Sequence, residues 1–393
     1  MERNYILFDT PVRELLYPFT HTRPIAECRV GILKIHEKWE RWLGTEVSHF
    51  TVQHLQEKYP LKQGHESTVN ILISGHLLPD AELVAAIEAL LPDEELYVDN
   101  RLVAKVIHGK EVHMLPARAR KNYSGKVLGI HKPWDIFVLN DRAIRDDFKA
   151  LTAGRESAPL PEGNTVVNGS EVFIEPGAEV HCSVLNASTG PIYIGKNAII
   201  MEGNLIRGPF AMGEHSVLKM GSRIYGATTL GPHCTGGGEM KNTVMFGYSN
   251  KGHEGYIGDA VIGEWCNLGA GTNCSNLKNN ASEVKVWMEA LATVAGAGTK
   301  CGVLMGDYSR TGIGTLLNTG TVVGVSCNIF GGIMPPKYVG SFSWALGEGM
   351  TRYRKEEALK DAAAWMKMKG QEMGNADRAV LQHLYQETAH VNL

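Results

Sequence analysis

The stretch PIYIGKNAIIMEGNLIRGPFAMGEHSVLKMGSRIYGATTLGPH, residues 191–233, decides the fold, because an apolar residue followed by glycine recurs in it at a fixed interval. The pairs begin at Ile194, Met212 and Leu230, so the two intervals between them are equal, and each has the length of three hexapeptides. Three hexapeptides form one coil of a parallel β-helix. The spacing therefore predicts a left-handed parallel β-helix with the apolar residues inside. The alternative, a glycine-rich antiparallel sandwich, would place its turns at irregular intervals.

The same pattern recurs further along the chain. It appears in YIGDAVIGEWCNLGAGT, residues 256–272, where we expect Ile257, Ile262 and Leu268 to lead successive short strands, and again in residues 311–328. We assign residues 166–343 to the β-helix. The remaining residues, 344–393, have a helical period with one charged side, which predicts a C-terminal helical cap.

The first part of the chain has a different pattern, in which predicted strands alternate with predicted helices. Residues 4–9 and 67–75 are apolar runs typical of strands, residues 30–43 form an amphipathic helical pattern, and residues 80–91 form a second one. Asp80 stands where it would cap the second helix. Such alternation predicts an α/β layer over residues 1–155. A stretch rich in Ala, Gly and Pro predicts a linker over residues 156–165.

Composition narrows the classes of function. The 393 residues include 39 basic and 42 acidic side chains, a net charge of −3, so no basic footprint for nucleic acid or an anionic membrane is present. We expect small-molecule partners. The seven cysteines contain no C-x-x-C pair, which favours a reducing cytoplasm over a disulfide framework. No apolar run is long enough for a membrane span, and the start of the chain lacks the apolar segment of a signal peptide.

Residues 249–276, SNKGHEGYIGDAVIGEWCNLGAGTNCSN, interrupt the repeat, and we look for chemistry there because a regular β-helix does not need this departure. Cationic, tyrosine and amide side chains suit a phosphorylated sugar, since Arg and Lys bind phosphate oxygens while Asn and Tyr bind hydroxyls. The alternatives are a turn role for the histidine, surface charges, and corner asparagines that satisfy the backbone. The residues concerned are His253, Arg223, Lys241, Lys251, Tyr256, Asn267 and Asn276.

The segment GHEGYIGDAVIGEWCNLGAGTNCSN, residues 252–276, with EMKN at 239–242 and an upstream arginine, resembles the acetyltransferase domain of the bifunctional UDP-N-acetylglucosamine diphosphorylase and glucosamine-1-phosphate N-acetyltransferase family. The resemblance implies that His253 is the general base for the acceptor amine. It also implies acetyl-CoA as co-substrate and a homotrimer with acyl-transfer sites between subunits. The implied sugar-phosphate contacts are Arg223, Lys241 and Tyr256; Asn267 would contact the sugar, Asn276 the amine and acetyl-CoA, and Ala270 and Thr315 acetyl-CoA.

The N-terminal segment LLYPFTHTRPIAECRVG, residues 15–31, resembles the start of sugar-phosphate nucleotidyltransferases, whose N-terminal domains have a Rossmann-type fold. The chain departs from that family because no glycine-rich loop precedes the segment and His76 stands at the position of a metal-binding Asp. The segment WDIFVLNDRAI, residues 134–144, would make Asn140 the surviving ligand of a Mg²⁺ site. Either a nucleotide site has been rebuilt, with Arg13, Thr22 and Arg23 as candidates, or the domain is structural or regulatory.

The resemblance as a whole implies acetyl transfer from acetyl-CoA to the amine of glucosamine-1-phosphate in UDP-N-acetylglucosamine synthesis, with uridylyl transfer by the N-terminal domain left open. Two alternatives stay open. One is an acyltransferase or nucleotidyltransferase for another amino-sugar phosphate, and the other is a non-catalytic trimeric scaffold that binds sugar nucleotides. Residues 283–304 are an insertion relative to the family pattern, and their role is not indicated by the sequence.

Overall fold

The computed structural model describes residues 3–62, 64–112, 114, 118–331, 334–346 and 349–388. The chain forms two compact units that differ from the predicted division at residue 155. The first unit takes the chain up to Leu16, then Thr22–Cys28 and Leu33–Lys132. The second unit takes Tyr17–His21, Arg29–Ile32 and everything from Pro133 onward.

The first unit is a mixed α/β layer. Its apolar centre includes Ile6, Phe8, Leu72 and Ile107, contributed by three neighbouring strands. In spatial order the six strands of its sheet are Val47–Phe50, Arg3–Phe8, Val69–Ser74, Arg101–His108, Glu94–Val98 and Ala119–Asn122. The first three are parallel, and the fourth and fifth run antiparallel to their predecessors. Its helices are Val12–Leu15, Ile25–Glu27, Ile35–Leu43, Gln53–Gln56 and Ala81–Glu88, and Leu77–Leu78 pairs with Leu128–Gly129.

Two local predictions for this unit can be compared with the structure. The predicted cap is confirmed, because the Asp80 carboxylate accepts a hydrogen bond of 2.8 Å from the Leu83 N–H. The helix predicted from residue 30 begins only at Ile35. Residues 29–32 belong instead to the second unit, where the N–H of Gly31 donates to Asn140 Oδ1 and the N–H of Ile32 donates to the Asp147 carboxylate, each at 2.8 Å. These tertiary bonds replace the first helical turn.

The second unit contains the predicted left-handed parallel β-helix, and the apolar repeat is confirmed residue by residue. Ile194 pairs with Met212, and Met212 pairs with Leu230. All three side chains are fully buried in the apolar interior. Each coil contributes to three faces, which we call the first, second and third face.

The strands are grouped by face as follows. The first face contains Val172–Ile174, Ile192–Ile194, Phe210–Met212, Thr228–Leu230, Leu304–Met305, Val322–Val323 and Tyr338–Val339. The second contains Glu179–Val180, Ile199–Ile200, Val217–Leu218, Thr235–Gly236, Asn267–Leu268, Arg310–Thr311, Asn328–Phe330 and Ser343–Leu346. The third contains Thr165–Val167, Val184–Asn186, Leu205–Arg207, Arg223–Tyr225, Asn273–Cys274 and Leu316–Leu317.

Two longer strands, Glu239–Gly247 and Tyr256–Glu264, run from the third face into the first. They turn at Asn242 and Asp259, whose φ angles are +47° and +48°. Pairing continues on both sides of that corner, so the prediction that Ile257 and Ile262 lead separate strands is wrong. The cause is a shortened coil, since Leu230 pairs with Met245, whereas the interval of the regular repeat would pair it with position 248.

The insertion at residues 283–304 lengthens a later coil, so that the residue paired with Ile262 is Met305, beyond the end of the insertion. Most of it forms an antiparallel hairpin of Lys285–Met288 and Thr293–Gly296, joined by the short helix Glu289–Leu291. The remaining elements of this unit are the 13-residue helix Asn140–Thr152 and the short elements Phe19–His21, Asp135–Val138, Gly169–Glu171 and Gly349–Arg352.

The C-terminal helices Lys355–Met368 and Asn375–Glu387 pack on one corner of the β-helix. At that corner a column of stacked rings runs along the coil axis, and each ring sits on a residue with positive φ. Centroid separations between neighbours are 5.0, 4.7, 4.1 and 6.4 Å. The column consists of His215, His233, Tyr248, Trp265 and Tyr308, and the helices cover its later members. The two histidines therefore have a structural role.

Within the described part of the chain, no helix has both the length and the apolar character needed to cross a bilayer. All seven cysteines lie among the described residues, and each is a free thiol.

Candidate functional site

The strand register places three predicted site residues on successive coils of one face. Arg223 pairs with Glu239, and Glu239 pairs with Tyr256. Tyr225 pairs with Lys241 in the next position along the same strands. The third face thus presents a polar surface where the regular coils end.

Carboxylates that the sequence analysis did not single out surround Arg223. Its Nε lies 3.5 Å from the Glu239 carboxylate, and its Nη2 lies 3.1 Å from that of Glu254. The Tyr225 hydroxyl donates to Glu239 at 2.6 Å, and this bond with burial raises the Tyr225 pKa to about 12. The Arg223 and Glu254 side chains are 45% and 72% exposed, so an incoming anion can reach the guanidinium.

Asp259 connects the other members of the surface. Its carboxylate lies 3.7 Å from Lys241 Nζ and accepts hydrogen bonds from the amides of Asn242 and Asn276. Asn276 also hydrogen bonds the Tyr256 hydroxyl, whose pKa is raised, chiefly by burial. One buried carboxylate therefore holds a cation and an amide from different coils in fixed positions.

The loop of residues 251–255 crosses the corner between the second and third faces and carries His253 on its outer side. Below it, Lys251 is only 2% exposed, and its Nζ donates to the carbonyls of Gly237 at 3.0 Å and His253 at 2.8 Å. Burial lowers the Lys251 pKa to about 8. Gly255 has φ +127°, and a Cβ there would lie 2.1 Å from the Thr272 carbonyl oxygen. The loop is thus held from inside while the imidazole is exposed to solvent.

The same corner continues through the residues predicted to contact acetyl-CoA. The Gly271 N–H donates to the Glu254 carbonyl at 3.0 Å, and the Gly314 N–H donates to the Ala270 carbonyl at 2.7 Å. Ala270 therefore stacks next to the His253 loop. Thr315 lies one coil further, buried, with its hydroxyl donating to the Gly312 carbonyl at 2.9 Å.

Asn267 lies apart from the surface around Arg223. It is on the second face, where it pairs with Arg310. The structure therefore brings Arg223, Lys241, Tyr256 and Asn276 together on or beside the third face and leaves Asn267 on the neighbouring face.

In the first unit, the three predicted nucleotide contacts lie beneath the surface. Arg13, Thr22 and Arg23 are 7%, 3% and 1% exposed. Arg13 lies 3.5 Å from the Asp9 carboxylate, which also accepts from the Ile25 N–H at 2.8 Å. Burial raises the Asp9 pKa. These contacts hold the segment after the first strand in place of a glycine-rich loop.

Asn140, the predicted Mg²⁺ ligand, is fully buried in the second unit. Its Nδ2 donates to the Ala227 carbonyl at 2.7 Å and to the Thr229 hydroxyl at 3.1 Å. Its Oδ1, the atom that would bind a cation, accepts from the Gly31 N–H at 2.8 Å. We correct the metal role to a structural one, because this amide joins three segments of the unit.

The first unit also has a pocket of about 500 Å³ at one end of its sheet. His76 lies in its wall with its ring 4.9 Å from that of His131. Burial, together with the neighbouring His131 and Arg101, lowers the His76 pKa to about 3, so this imidazole is neutral at pH 7. Arg101 and Lys126 supply positive charge to the same pocket. None of the three buried residues predicted to contact nucleotide lines it.

Comparison with known proteins shows which families and proteins the chain is similar to. Residues 5–156 match the family described as "Sugar nucleotidyl transferase". A "Bifunctional sugar-1-phosphate nucleotidylyltransferase/acetyltransferase" of Sulfurisphaera tokodaii is 30% identical over 56% of this chain and 48% of its own length. A "Bifunctional protein GlmU" of Methanocaldococcus jannaschii is 30% identical over 50% of this chain and 42% of its own. A third relative, "Bifunctional protein GlmU" of Methanococcus vannielii, is 23% identical over 66% of this chain and 56% of its own.

These matches confirm the resemblance found in the motifs. Residues 5–156 match the sugar nucleotidyl transferase family, and about half of the chain is similar to proteins described as bifunctional nucleotidylyltransferases and acetyltransferases. The chain spans about half the length of the curated relatives it matches.

Proposed function

We propose that the β-helix unit transfers an acetyl group from acetyl-CoA to the amine of an amino-sugar phosphate, with glucosamine-1-phosphate as the acceptor. The observation that carries this proposal is the convergence of Arg223, Lys241 and Tyr256 on successive coils of one face, beside the loop that exposes His253. Cations and a tyrosine on one rigid sheet suit a sugar phosphate.

In the proposed reaction His253 acts as general base. The acceptor amine is protonated at neutral pH and has no free electron pair until it loses that proton to the imidazole. The neutral amine then attacks the thioester carbonyl, a C–N bond forms and the C–S bond breaks. The imidazolium passes this first proton to solvent, and the imidazole then takes the second proton, which the nitrogen loses as the C–N bond forms. That second proton goes to the departing thiolate, which leaves as the CoA thiol, so the histidine is regenerated. Lys251 supports this step by holding the His253 carbonyl, which makes it a positioning residue.

On substrate binding, the acceptor phosphate would replace the Glu254 carboxylate as the partner of the Arg223 guanidinium. The exposed Glu254 side chain can swing away from the guanidinium, since an exposed ion pair is worth at most about 1 kcal/mol. A phosphate in its place can accept two parallel N–H bonds from arginine. Lys241 and Tyr256 would complete the acceptor site, while Asn276 would lie close to the amine. Ala270 and Thr315 would contact acetyl-CoA along the adjoining corner.

We further propose a homotrimer in which Asn267 of one chain completes the acceptor site of the next. Asn267 lies on a different face from Arg223, so one chain does not bring the predicted set together. Large apolar side chains are exposed on the third face and at its corner with the second, which favours burial against another copy. They are Ile313, Met220, Leu205 and Leu316, at 85%, 64%, 54% and 51% exposure. Sedimentation at micromolar concentration should give a trimer, and a monomer would contradict the shared site.

The experiment that tests the acetyl transfer is release of free CoA from acetyl-CoA in the presence of a panel of amino-sugar phosphates. We expect release with glucosamine-1-phosphate and loss of release in His253→Ala. The matched control is His215→Ala, because it removes an exposed histidine from a corner of the regular coils. A non-catalytic scaffold predicts no CoA release from any acceptor. If CoA is released only with a different amino-sugar phosphate, the proposed acetyl transfer stands but glucosamine-1-phosphate is not the acceptor.

For the first unit we propose binding of a phosphate-bearing ligand, with nucleotidylyl transfer poor or absent. The supporting observation is the pocket lined by Arg101, Lys126, His76 and His131, whose charge suits a phosphate-bearing ligand. We expect pyrophosphate release from UTP and N-acetylglucosamine-1-phosphate to be slow or undetectable, because the glycine-rich loop is missing and a neutral histidine stands in place of the metal-binding carboxylate. Pyrophosphate release at the ordinary rate of such enzymes would show that this expectation is wrong.

A further inference from the structure

Three side chains that can bind a metal converge in the first unit, at a place that neither proposed activity uses. Glu27 ends the short helix Ile25–Glu27, His36 lies in the first turn of the helix Ile35–Leu43, and His49 lies on the edge strand Val47–Phe50. The three residues thus come from three different elements of the unit.

Their ligand atoms are already close to the separation that a metal imposes. Glu27 Oε1 lies 3.0 Å from His36 Nδ1 and 3.0 Å from His49 Nε2. All three atoms lie within 4.8 Å of one another. Donors 2.0–2.1 Å from a tetrahedral zinc ion stand about 3.4 Å apart, so a shift of a few tenths of an ångström would admit the ion.

Burial and the surrounding contacts also suit a bound cation. The side chains of Glu27 and His49 are 7% and 9% exposed, and that of His36 is 19% exposed. The second carboxylate oxygen of Glu27 accepts a 3.0 Å hydrogen bond from Lys34 Nζ. An outer partner of this kind orients a ligating carboxylate while leaving its other oxygen for the metal. His36 is the most exposed of the three side chains, so an ion and one water would enter on its side.

We infer that Glu27, His36 and His49 form a binding site for a divalent first-row transition metal, with Zn²⁺ the preferred ion. Two imidazoles and one carboxylate form a ligand set that zinc accepts, and a water would take the fourth position. Mg²⁺ does not suit the site because it prefers oxygen ligands in octahedral geometry. The ion would cross-link a helix, an edge strand and the segment after the first strand, so its role would be structural.

The test uses the whole 393-residue chain, stripped with a chelator and dialysed into metal-free buffer. Zn²⁺ is titrated in competition with a chromophoric chelator, and thermal unfolding is followed with and without the ion. We expect one tightly bound zinc per chain and a rise in Tm. Glu27→Gln, His36→Gln and His49→Gln should each weaken binding by at least about 100-fold and abolish the rise, since even outer-shell changes cost 10–100-fold.

The matched control is His108→Gln, which removes an exposed histidine at the end of a strand in the same unit. It should bind zinc as the wild type does. Circular dichroism without metal shows whether each variant is folded. If Glu27→Gln and His49→Gln do not fold, the test rests on His36→Gln, because His36 is the most exposed of the three side chains. Absence of tight zinc binding, or unchanged binding in a folded ligand variant, would overturn the inference and leave the cluster as an ion-pair network.

Discussion

The coils that end at Leu230 and the coils between Glu239 and Cys274 share one apolar interior, but the later coils have longer strands and also bury charged groups at their corners. In the regular coils the buried column is apolar and repeats at a constant interval. The later coils, from Leu230 to Met245 and from there to Ile262, are both shorter than that interval, and Lys251 and Asp259 are buried in them. The regular part buries apolar side chains and small polar side chains such as Asn204, which are hydrogen bonded to the backbone. The irregular part buries charged groups, which costs stability that a purely structural repeat would avoid.

The largest effect should come from the histidine that the irregular loop exposes. His253→Ala should lower kcat for acetyl transfer by about 10²–10⁴-fold, because the acceptor ammonium then has no positioned base. His215→Ala, at a corner of the regular coils, should leave kcat unchanged. Steady-state kinetics on trimers verified by sedimentation would measure both. A near-normal kcat in folded His253→Ala would show that His253 is not the catalytic base. The irregular coils would then differ from the regular coils in structure but not in catalysis.

The next effect concerns the cations of the third face. Arg223→Ala and Lys241→Ala should raise the acceptor KM by about 10–100-fold, since a hydrogen bond to a charged group is worth roughly 1.5–3 kcal/mol. We expect KM to rise at least as much as kcat falls, because these groups bind the phosphate before and during the reaction. Arg207→Ala, one coil earlier on the same face, is the control. An equal rise in KM for that variant would show that positive charge on this face, and not the site, binds the acceptor.

A smaller effect should appear in the pH dependence of stability. Burial lowers the Lys251 pKa from 10.5 to about 8, so above pH 8 the unfolded chain binds more protons than the folded chain. The charged lysine therefore destabilises the fold fully below about pH 8, and the penalty fades as pH rises toward 10.5. Relative to Lys251→Met, the wild type should gain about 1 kcal/mol between pH 8.5 and 9.5. Urea unfolding at several pH values measures it, with Lys219→Met as the regular-coil control; parallel curves for wild type and Lys251→Met would contradict it.

The smallest effect concerns the exposed carboxylate beside Arg223. Glu254→Gln removes a competitor of the acceptor phosphate and should lower the acceptor KM by up to about fivefold, in line with the 0–1 kcal/mol of an exposed pair. Glu214→Gln, on an exposed corner of the regular coils, should not change KM. A raised KM in Glu254→Gln would mean that this carboxylate binds the substrate instead of competing with it.

The repeat could be predicted from sequence because burial of one apolar residue per strand leaves a fixed interval in the chain. The shortened coil could not be predicted from sequence, because the two long strands stay paired on both sides of the corner at Asp259. No residue interval in the sequence indicates that pairing. His253 could be singled out by its motif, but its support from the buried Lys251 requires knowledge of which backbone carbonyls lie beneath the loop.

Glu239 and Tyr225 could not be singled out as site residues from the sequence alone. Glu239 and Tyr225 become visible once Arg223 is placed in register with the following coil. The Asn140 prediction failed because a local motif does not show that Gly31, far earlier in the chain, donates to that amide.

The second unit is assembled from two short stretches that interrupt the first unit in sequence and from the chain that follows it. Residues 17–21 and 29–32 belong to it although residues 22–28 between them do not. Within it, Arg29 Nε donates to the Phe246 carbonyl at 2.8 Å, and His21 Nε2 lies 3.2 Å from the Glu289 carboxylate. A gene cut at residue 155 would thus produce a β-helix without two of its own segments. The N-terminal part of the chain therefore cannot be exchanged as a module cut at residue 155 without also removing those two segments from the second unit.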